Sequence, residues 1–423
     1  MTEFTPIAAL VERATDREGR QIYRELYGVP QDAEHLALHS WDEWRLLPFL
    51  TKSLLQKIPL RDKLFLPWTS MSSIHASSGT SGQPPLFSPW MRIDGYEYRE
   101  RFHVFTRPAL CSMPIPHQHD RYLEERGVVP RMIVFDPKRA AASVKLAKLA
   151  SVDSLFTFTG HLQLIGPEMK KLGMTGDIRF IEIAGESCSR ALYRYVKKTF
   201  PNAVFVSFYG ATEVENPPIT TPCRPLSDAE PLEVHHPRDG YYIELIDPAT
   251  RELVPIERGA EGELVLSFDT SLPAKPAIFP LVRYRSGDMA RVVDAQCEEH
   301  GAWSFTMLGR AEMDFIKVPG GILRADEIER VLRGIPEKTS DIFELHLREQ
   351  ESEGILHVEV ILKIDAPENA DFSALAAYIS RNFHIGPSFT YEDGVERGLY
   401  RPFVCAPLPP SPFKGKRNRM IRD

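Results

Sequence analysis

The chain has little of what marks membrane, secreted or nucleic-acid-binding proteins. No apolar run in its 423 residues approaches the ~20 residues that span a bilayer, so no membrane association is expected. Only five cysteines occur, and they are scattered. That excludes a disulfide framework and predicts a reducing, cytoplasmic setting. The net charge of -7 gives no basic surface for nucleic acid or anionic lipid. The first twenty residues mix acids into a helical pattern, without the basic start and apolar core of a signal peptide. No internal repeat and no low-complexity tract is present. What remains is an ordinary globular composition, 43% hydrophobic and 26% charged, long enough for two or more domains.

The stretch Ile74-His75-Ala76-Ser77-Ser78-Gly79-Thr80-Ser81-Gly82-Gln83-Pro84 is dense in hydroxyls and glycines. Glycines let a backbone approach closely, and N–H and O–H donors suit phosphate oxygens. It lacks the Gly-Lys-Ser/Thr ending of the common phosphate-binding loop. Alone, such a run is more often a plain flexible loop.

Residues 131 to 210 alternate apolar strand-like runs with helical stretches. Strands are predicted at Met132–Phe135, Leu155–Phe158, Ile178–Ala184 and Val204–Phe208. Helices are predicted at Ala140–Ala150, Leu162–Leu172 and Arg190–Phe200. This order predicts a parallel sheet with crossover helices. Ligands bind beyond the carboxyl ends of such strands, where Thr159-Gly160, Gly185-Glu186 and Tyr209-Gly210 stand. Glycine is also common at any strand-to-helix turn, which is the plainer explanation for each one singly. Residues 241 to 295 break into short runs between Pro and Gly turns and read as a smaller β-rich subdomain. From about Met313 a separate α/β unit is expected: a helix at Ala325–Leu332, paired strands at Glu344–Arg348 and Leu356–Ile364, and a helix at Phe372–Phe383. Pro407, Pro409, Pro410 and Pro412 stiffen the lead into a basic tail.

Five segments recur in a telling order: the Ser77–Gly82 loop, Phe208-Tyr209-Gly210-Ala211-Thr212-Glu213, Tyr284-Arg285-Ser286-Gly287-Asp288, Gly309-Arg310 through Ile316-Lys317, and Pro410-Ser411-Pro412-Phe413-Lys414-Gly415-Lys416-Arg417-Asn418-Arg419. In this order they resemble the adenylate-forming (AMP-forming) superfamily of acyl-CoA synthetases, adenylation domains and luciferases, over roughly residues 70 to 419. The loop itself, the Ile246-Asp247-Pro248 strand end and Leu281–Asp288 are most similar to the phenylacetate–CoA ligase branch.

The resemblance implies an α/β fold with a large N-terminal adenylate-forming domain, residues 1–311, and a small mobile C-terminal domain, residues 312–423. It implies ATP-dependent activation of a small carboxylic acid, aromatic or hydrophobic, with Mg2+, followed by transfer to CoA. Acceptance by a carrier protein, an amine or the chain's own Cys405 stays open, as does a catalytically impaired nucleotide-binding protein. Monomer and homodimer are both compatible with it. The roles implied are specific. Ser78, Gly79, Thr80, Ser81 and Gly82 hold the β- and γ-phosphates. Gly185 and Glu186 line the adenine, and Tyr209 and Gly210 complete its wall. Asp288 and Arg310 take the ribose, Thr212 approaches the α-phosphate, Glu213 binds magnesium, and Lys416 is the mobile catalytic cation. Without the resemblance, Glu213 reads as a surface acid, Tyr209 as a strand aromatic and Lys416 as part of a solvated basic tail.

The chain also departs from the pattern. Gln83 stands where the loop has a lysine. One extra residue leaves the hinge acid at Glu312 or at Met313, with Glu312 favoured on charge. Cys297-Glu298-Glu299-His300 supplies two of the four ligands zinc wants, no second pair stands near it in sequence, and the branch's Cys-x-Cys-Gly is missing. A surface turn is therefore expected there. An acyl pocket is expected near the strand ends, from Phe156, Phe208 and the aromatics between Trp90 and Phe105, unless these are core.

Overall fold

A computed structural model describes residues 4–16, 21–59, 64–65, 69, 73–76, 87–90, 99, 101–113, 127–128, 130–185, 187–214, 219–272, 275–310, 315–319, 321–335, 343–352, 355–364, 366, 370–386, 389–408 and 420–422. The Ser77–Gly82 loop, Glu186, the hinge candidates Glu312 and Met313, and Lys416 lie outside the described residues.

The first sheet is parallel and sits where the alternation predicted it. Strands β3 (Ala109–Cys111), β4 (Met132–Val134), β5 (Ser154–Phe158), β6 (Phe180–Ala184) and β7 (Val204–Ser207) lie in the order β4-β3-β5-β6-β7. Helices Ala140–Leu149, Leu162–Lys171 and Arg190–Thr199 make the crossovers. The last starts on a side-chain cap, Ser189 Oγ accepting from Leu192 N at 3.0 Å, and buries Leu192, Tyr193, Tyr195 and Val196 against the sheet. β6, Phe-Ile-Glu-Ile-Ala, is buried at every position, as a central parallel strand must be. Its Glu182 is neutralised there by Arg99, at 2.6 and 2.9 Å. β3, a three-residue strand, was not expected from the sequence.

The second sheet is antiparallel. Strands β8 (Thr220–Pro222), β9 (His235–Pro237), β10 (Tyr241–Ile246), β11 (Glu261–Leu272), β12 (Lys275–Asp294) and β13 (Ser304–Arg310) run in the order β10-β11-β12-β13-β9-β8. β12 is far longer than the short runs expected across residues 241 to 295, because it continues through Pro276, Pro280 and Gly287 by register shifts rather than ending at them. Helices α1 (Thr5–Thr15), α2 (Gln21–Leu26), α3 (Trp41–Leu46) and α4 (Lys52–Lys57) cover this sheet. Tyr23 donates to Pro280 O at 2.7 Å, and Arg283 donates to the carbonyls of Arg45 and Leu47 at 2.8 and 2.7 Å. Where β13 has ended, Leu50 takes its place beside β12: Leu50 N bonds Arg283 O at 3.0 Å and Arg285 N bonds Leu50 O at 2.9 Å. A further two-stranded pair joins β1 (Ser73–Ala76) to β2 (Phe87–Trp90).

The C-terminal unit has its own core. Hairpin β14 (Phe315–Val318) and β15 (Gly321–Arg324) leads into helix Ala325–Arg333. The long hairpin β16 (Phe343–Ser352) and β17 (Ile355–Ile364) is flanked by β21 (Met420–Arg422) and β20 (Val404–Pro407), both parallel to their neighbours. Helix Phe372–Asn382, the small pair β18 (His384–Gly386) and β19 (Phe389–Thr390), and helix Tyr391–Glu396 complete it. Leu345, Leu347, Val358, Val360, Ile379 and Phe383 form the interior. In the first turn of helix Ala325–Arg333, Glu327 pairs with Arg330 at 2.7 Å and accepts from His384 N at 3.2 Å. The β16–β17 hairpin meets the first unit at helix Arg190–Thr199, where Ser189 Oγ donates to Glu349 and Lys198 pairs with Glu351 at 2.7 Å. Among the described residues no helix is long and apolar enough to cross a membrane.

Candidate active site

Thr159-Gly160, Gly185 and Tyr209-Gly210 follow the carboxyl ends of β5, β6 and β7, and so share one edge of the parallel sheet. Gly185 is exposed and has φ +88°, a conformation that favours glycine. Beyond β7 the chain is held to the start of β8. Thr220 Oγ1 accepts from Tyr209 N at 2.9 Å, and Ile219 N donates to Tyr209 O at 2.9 Å. A turn closed by Val214 N to Ala211 O at 3.1 Å then presents Thr212 and Glu213, with Val214 fully buried beneath.

The antiparallel sheet supplies the facing groups. Glu263 pairs with Met289 and Val265 with Arg285, so Ser286-Gly287-Asp288 bulge out opposite a single residue, Leu264. The bulge is bonded throughout. Ser286 Oγ donates to Leu264 O at 2.7 Å and accepts from Asp288 N at 3.0 Å, and Gly287 N donates to Glu263 at 3.1 Å. Gly287 has φ +77°, so the bulge needs a glycine there. Its effect is to aim Asp288. Tyr209 donates its hydroxyl to Asp288 Oδ2 at 2.8 Å, and Arg310, opposite on β13, stands 3.1 Å from Asp288 Oδ1.

The electrostatics follow from this packing. Burial, then the adjacent Asp288 carboxylate, holds the Tyr209 phenol well above its ordinary range, so it stays a proton donor. Burial works against the Arg310 charge, but Asp288 and its neighbours outweigh it, and the guanidinium is held above its usual value. Glu213 is nearly buried and pairs with Lys52 on α4, 3.0 Å away. Tyr284 reaches the same carboxylate and is held well above its usual range, by burial first and then by Glu213 and Asp288. Two carboxylates and two cations thus share one cleft edge. Such an edge can take hydroxyls on Asp288 and anionic oxygens near Arg310, and can give a hard cation a carboxylate oxygen.

The structure therefore brings together Tyr209, Thr212, Glu213, Asp288 and Arg310 from three separate segments, with Gly185 and Gly210 on the same edge. Lys52, Tyr284 and Glu263 were missed. No local pattern distinguishes Lys52 from any other lysine opening a helix, and Tyr284 and Glu263 belong to buried strands.

Two expectations need correction. Phe156 does not line a pocket. It is buried against Phe105 and Phe180, at ring distances of 5.6 and 5.8 Å, under the Arg99 guanidinium. Cys297-x-x-His300 does lie in a turn between β12 and β13, as expected, but it is not without a second pair nearby. The fold brings Cys223 and His236 to it, with the four ligand atoms all within 4.8 Å of one another. Cys405 lies in strand β20, where burial pushes its thiol up to about 12, so it is not a ready nucleophile.

No family model matches the chain. It is 23% identical to the phenylacetate-coenzyme A ligase of Pseudomonas putida over 364 residues, 82% of this chain and 77% of that protein. Against the phenylacetate-coenzyme A ligase of Aromatoleum evansii it is 23% identical over 245 residues, 54% of this chain and about half, 52%, of that relative. The crystal structure of 2-hydroxyisobutyryl-CoA ligase in the postadenylation state, in complex with R3-HIB-AMP, matches with a TM-score of 0.55 at 13% identity, over 99% of this chain and 88% of that one. The chain has an adenylate-forming ligase fold and resembles the phenylacetate–CoA ligase branch. The open conformation of 2-hydroxyisobutyryl-CoA ligase, in complex with 2-HIB-AMP and CoA, matches with a TM-score of 0.53 over 89% of this chain.

Proposed function

We propose that this chain is an ATP-dependent, AMP-forming acid–thiol ligase. A carboxylate oxygen of the substrate attacks the α-phosphorus of ATP and pyrophosphate leaves. A thiol then attacks the acyl carbon and AMP leaves. The observation that carries this reading is the Tyr209–Asp288–Arg310 array, set on the carboxyl edge of the parallel sheet beside Glu213. An acid hydrogen-bonded by a phenol and braced by a guanidinium is oriented to receive ribose hydroxyls. Tyr209 offers a flat face for adenine, and Thr212 lies next to the place for the α-phosphate. The two relatives named for CoA ligation support CoA as the thiol and a hydrophobic acid as the substrate.

Glu213 is an oxygen donor with one charge, the kind of partner magnesium takes together with substrate phosphates. Glu213 would hold the ion, which would supply charge neutralisation at those phosphates. The chain's own part is to hold the Glu213 side chain in place through Lys52 and Tyr284 until nucleotide arrives. Lys416 would add the cation needed during adenylation, carried in by a C-terminal domain turning about Glu312.

ATP–pyrophosphate exchange against a diverse library of carboxylic acids tests the reading. Exchange that depends on one acid class is expected. ATP binding without exchange for any acid would overturn it in favour of a nucleotide-binding protein that does no chemistry.

A further inference from the structure

Away from that edge, four soft or borderline ligands converge from two hairpins. Cys223 follows β8, His236 lies within β9, and Cys297 and His300 lie in the turn joining β12 to β13. Their ligand atoms all lie within 4.8 Å of one another. His300 Nδ1 is 3.6 Å from Cys297 Sγ and 3.9 Å from Cys223 Sγ. Tetrahedral zinc, with bonds of about 2.3 Å to sulfur and about 2.0 Å to nitrogen, sets ligand atoms about 3.3–3.8 Å apart. No pair among the four need close by more than about 1.5 Å.

His236 is the telling member. Its Nδ1 is 3.0 Å from Trp303 O, and a carbonyl only accepts, so Nδ1 carries the proton. Nε2 is left with a bare lone pair. It is buried and has no hydrogen-bond partner, in a ring that contributes one of four ligand atoms lying within 4.8 Å of one another. That is the arrangement a metal-ligating histidine has: the second nitrogen fixed by a carbonyl, the first presented to the ion. The His236 and His300 rings lie side by side, 4.1 Å apart between centroids with 32° between their planes.

We propose that Cys223, His236, Cys297 and His300 form a structural zinc site. Two thiolates balance the charge of the ion, and two neutral imidazoles complete four-coordination. No position stays open for water or substrate, so the ion is structural rather than catalytic. Binding displaces the two thiol protons to solvent. Ligation through His300 Nδ1 leaves a proton on Nε2, which Arg101 now approaches at 2.8 Å as a donor. Arg101 then keeps only Glu299, at 2.9 Å.

The position explains what the ion does. β9 is joined to β13 through a single paired position, His235 with Phe305. β8 and β9 are therefore weakly attached to the sheet, yet β8 carries Thr220, which holds Tyr209. Zinc ties the β8–β9 hairpin to the end of the β12–β13 ladder. Asp288 lies six residues up β12 from Asp294, about 20 Å at strand rise, so the ion does not touch the candidate active site.

The test uses the full chain, purified under reducing conditions without chelator. Elemental analysis is expected to find one zinc per chain. X-ray absorption at the zinc edge is expected to show two sulfurs at about 2.3 Å and two nitrogens at about 2.0 Å. Cobalt exchanged into the site should give the strong visible bands of a tetrahedral ion and a thiolate charge-transfer band. Cys297→Ser should lose the zinc and melt several degrees lower. If that variant does not fold, absorption spectroscopy on the unaltered protein still decides. Metal-free folded protein with Cys223 and Cys297 as free thiols, or joined as a disulfide, overturns the proposal. So does zinc bound without sulfur.

Discussion

Lys52 Nζ lies 3.0 Å from Glu213 Oε1. The lysine opens α4, two residues beyond the Leu50 bridge, and its partner closes the loop after β7. The carboxylate proposed to hold a divalent ion is thus already paired with a cation of the chain itself. Lys52→Met should remove that competition and lower the magnesium concentration needed for half-maximal pyrophosphate exchange severalfold. An unchanged midpoint would show that the pair does not compete with the ion. Glu213→Gln should cut exchange by about 10²–10³, the usual loss for one preorganised electrostatic group.

Asp288→Ala removes the acceptor shared by Tyr209 and Arg310. It should raise KM for ATP and leave KM for the acid unchanged. Gly287→Ala should act in the same direction without touching a reacting group. An L-residue at φ +77° costs about 1–2 kcal/mol and tilts the bulge that aims Asp288. A Gly287→Ala enzyme with normal KM for ATP would mean that the bulge does not set the aim.

Lys416→Ala should separate the half-reactions. Pyrophosphate exchange should fall by at least about a hundredfold, and conversion of supplied acyl-adenylate to thioester should stay near normal. Equal loss in both, with folding intact, would sink the domain-turning scheme.

Cys405→Ser should keep full activity. A thiol pushed up to about 12 is thiolate in only about one molecule in 10⁵ at pH 7. Labelled acid and ATP should leave no thioester on this residue. A covalent adduct lost in Cys405→Ser would favour transfer through the chain's own cysteine.

Acid should destabilise the fold through His103 and His161. Burial lowers both below the ordinary imidazole value, with Asp153 opposing it at His103. As pH falls through about 6.5, the unfolded chain takes up protons that the folded chain refuses, so stability drops. The contribution is complete above about pH 6.5 and is lost toward the lower folded value. His161→Phe should flatten the acid limb of denaturant midpoint against pH. A slope equal to that of the unaltered protein would remove His161 from the account.

The parallel sheet was legible because its strands are continuous apolar runs and its crossovers are full helices. β3 was not: three residues between Pro108 and Ser112 carry no period. β12 was read as a fragment because its prolines and Gly287 look like stops, whereas the fold absorbs them as register shifts. Asp288, Arg310 and Glu213 were legible as motif residues, but their convergence was not. Cys223 and His236 gave no warning, because the contact with Cys297 and His300 depends on how β9 pairs across to β13. Lys52 belongs to the same class, a residue placed by the tertiary path of the chain.

Leu50 also bears on what one edge of β12 would meet without it. It is the cover over a stretch of β12 that β13 has left behind, next to the buried Leu281, Val282 and Tyr284. A chain cut before α4 would leave those backbone groups unpaired on a long, apolar strand edge, which is a template for a strand from another molecule. Proteolytic loss of the first fifty residues, α1 to α3 among them, would therefore show itself as self-association of the chain that remains.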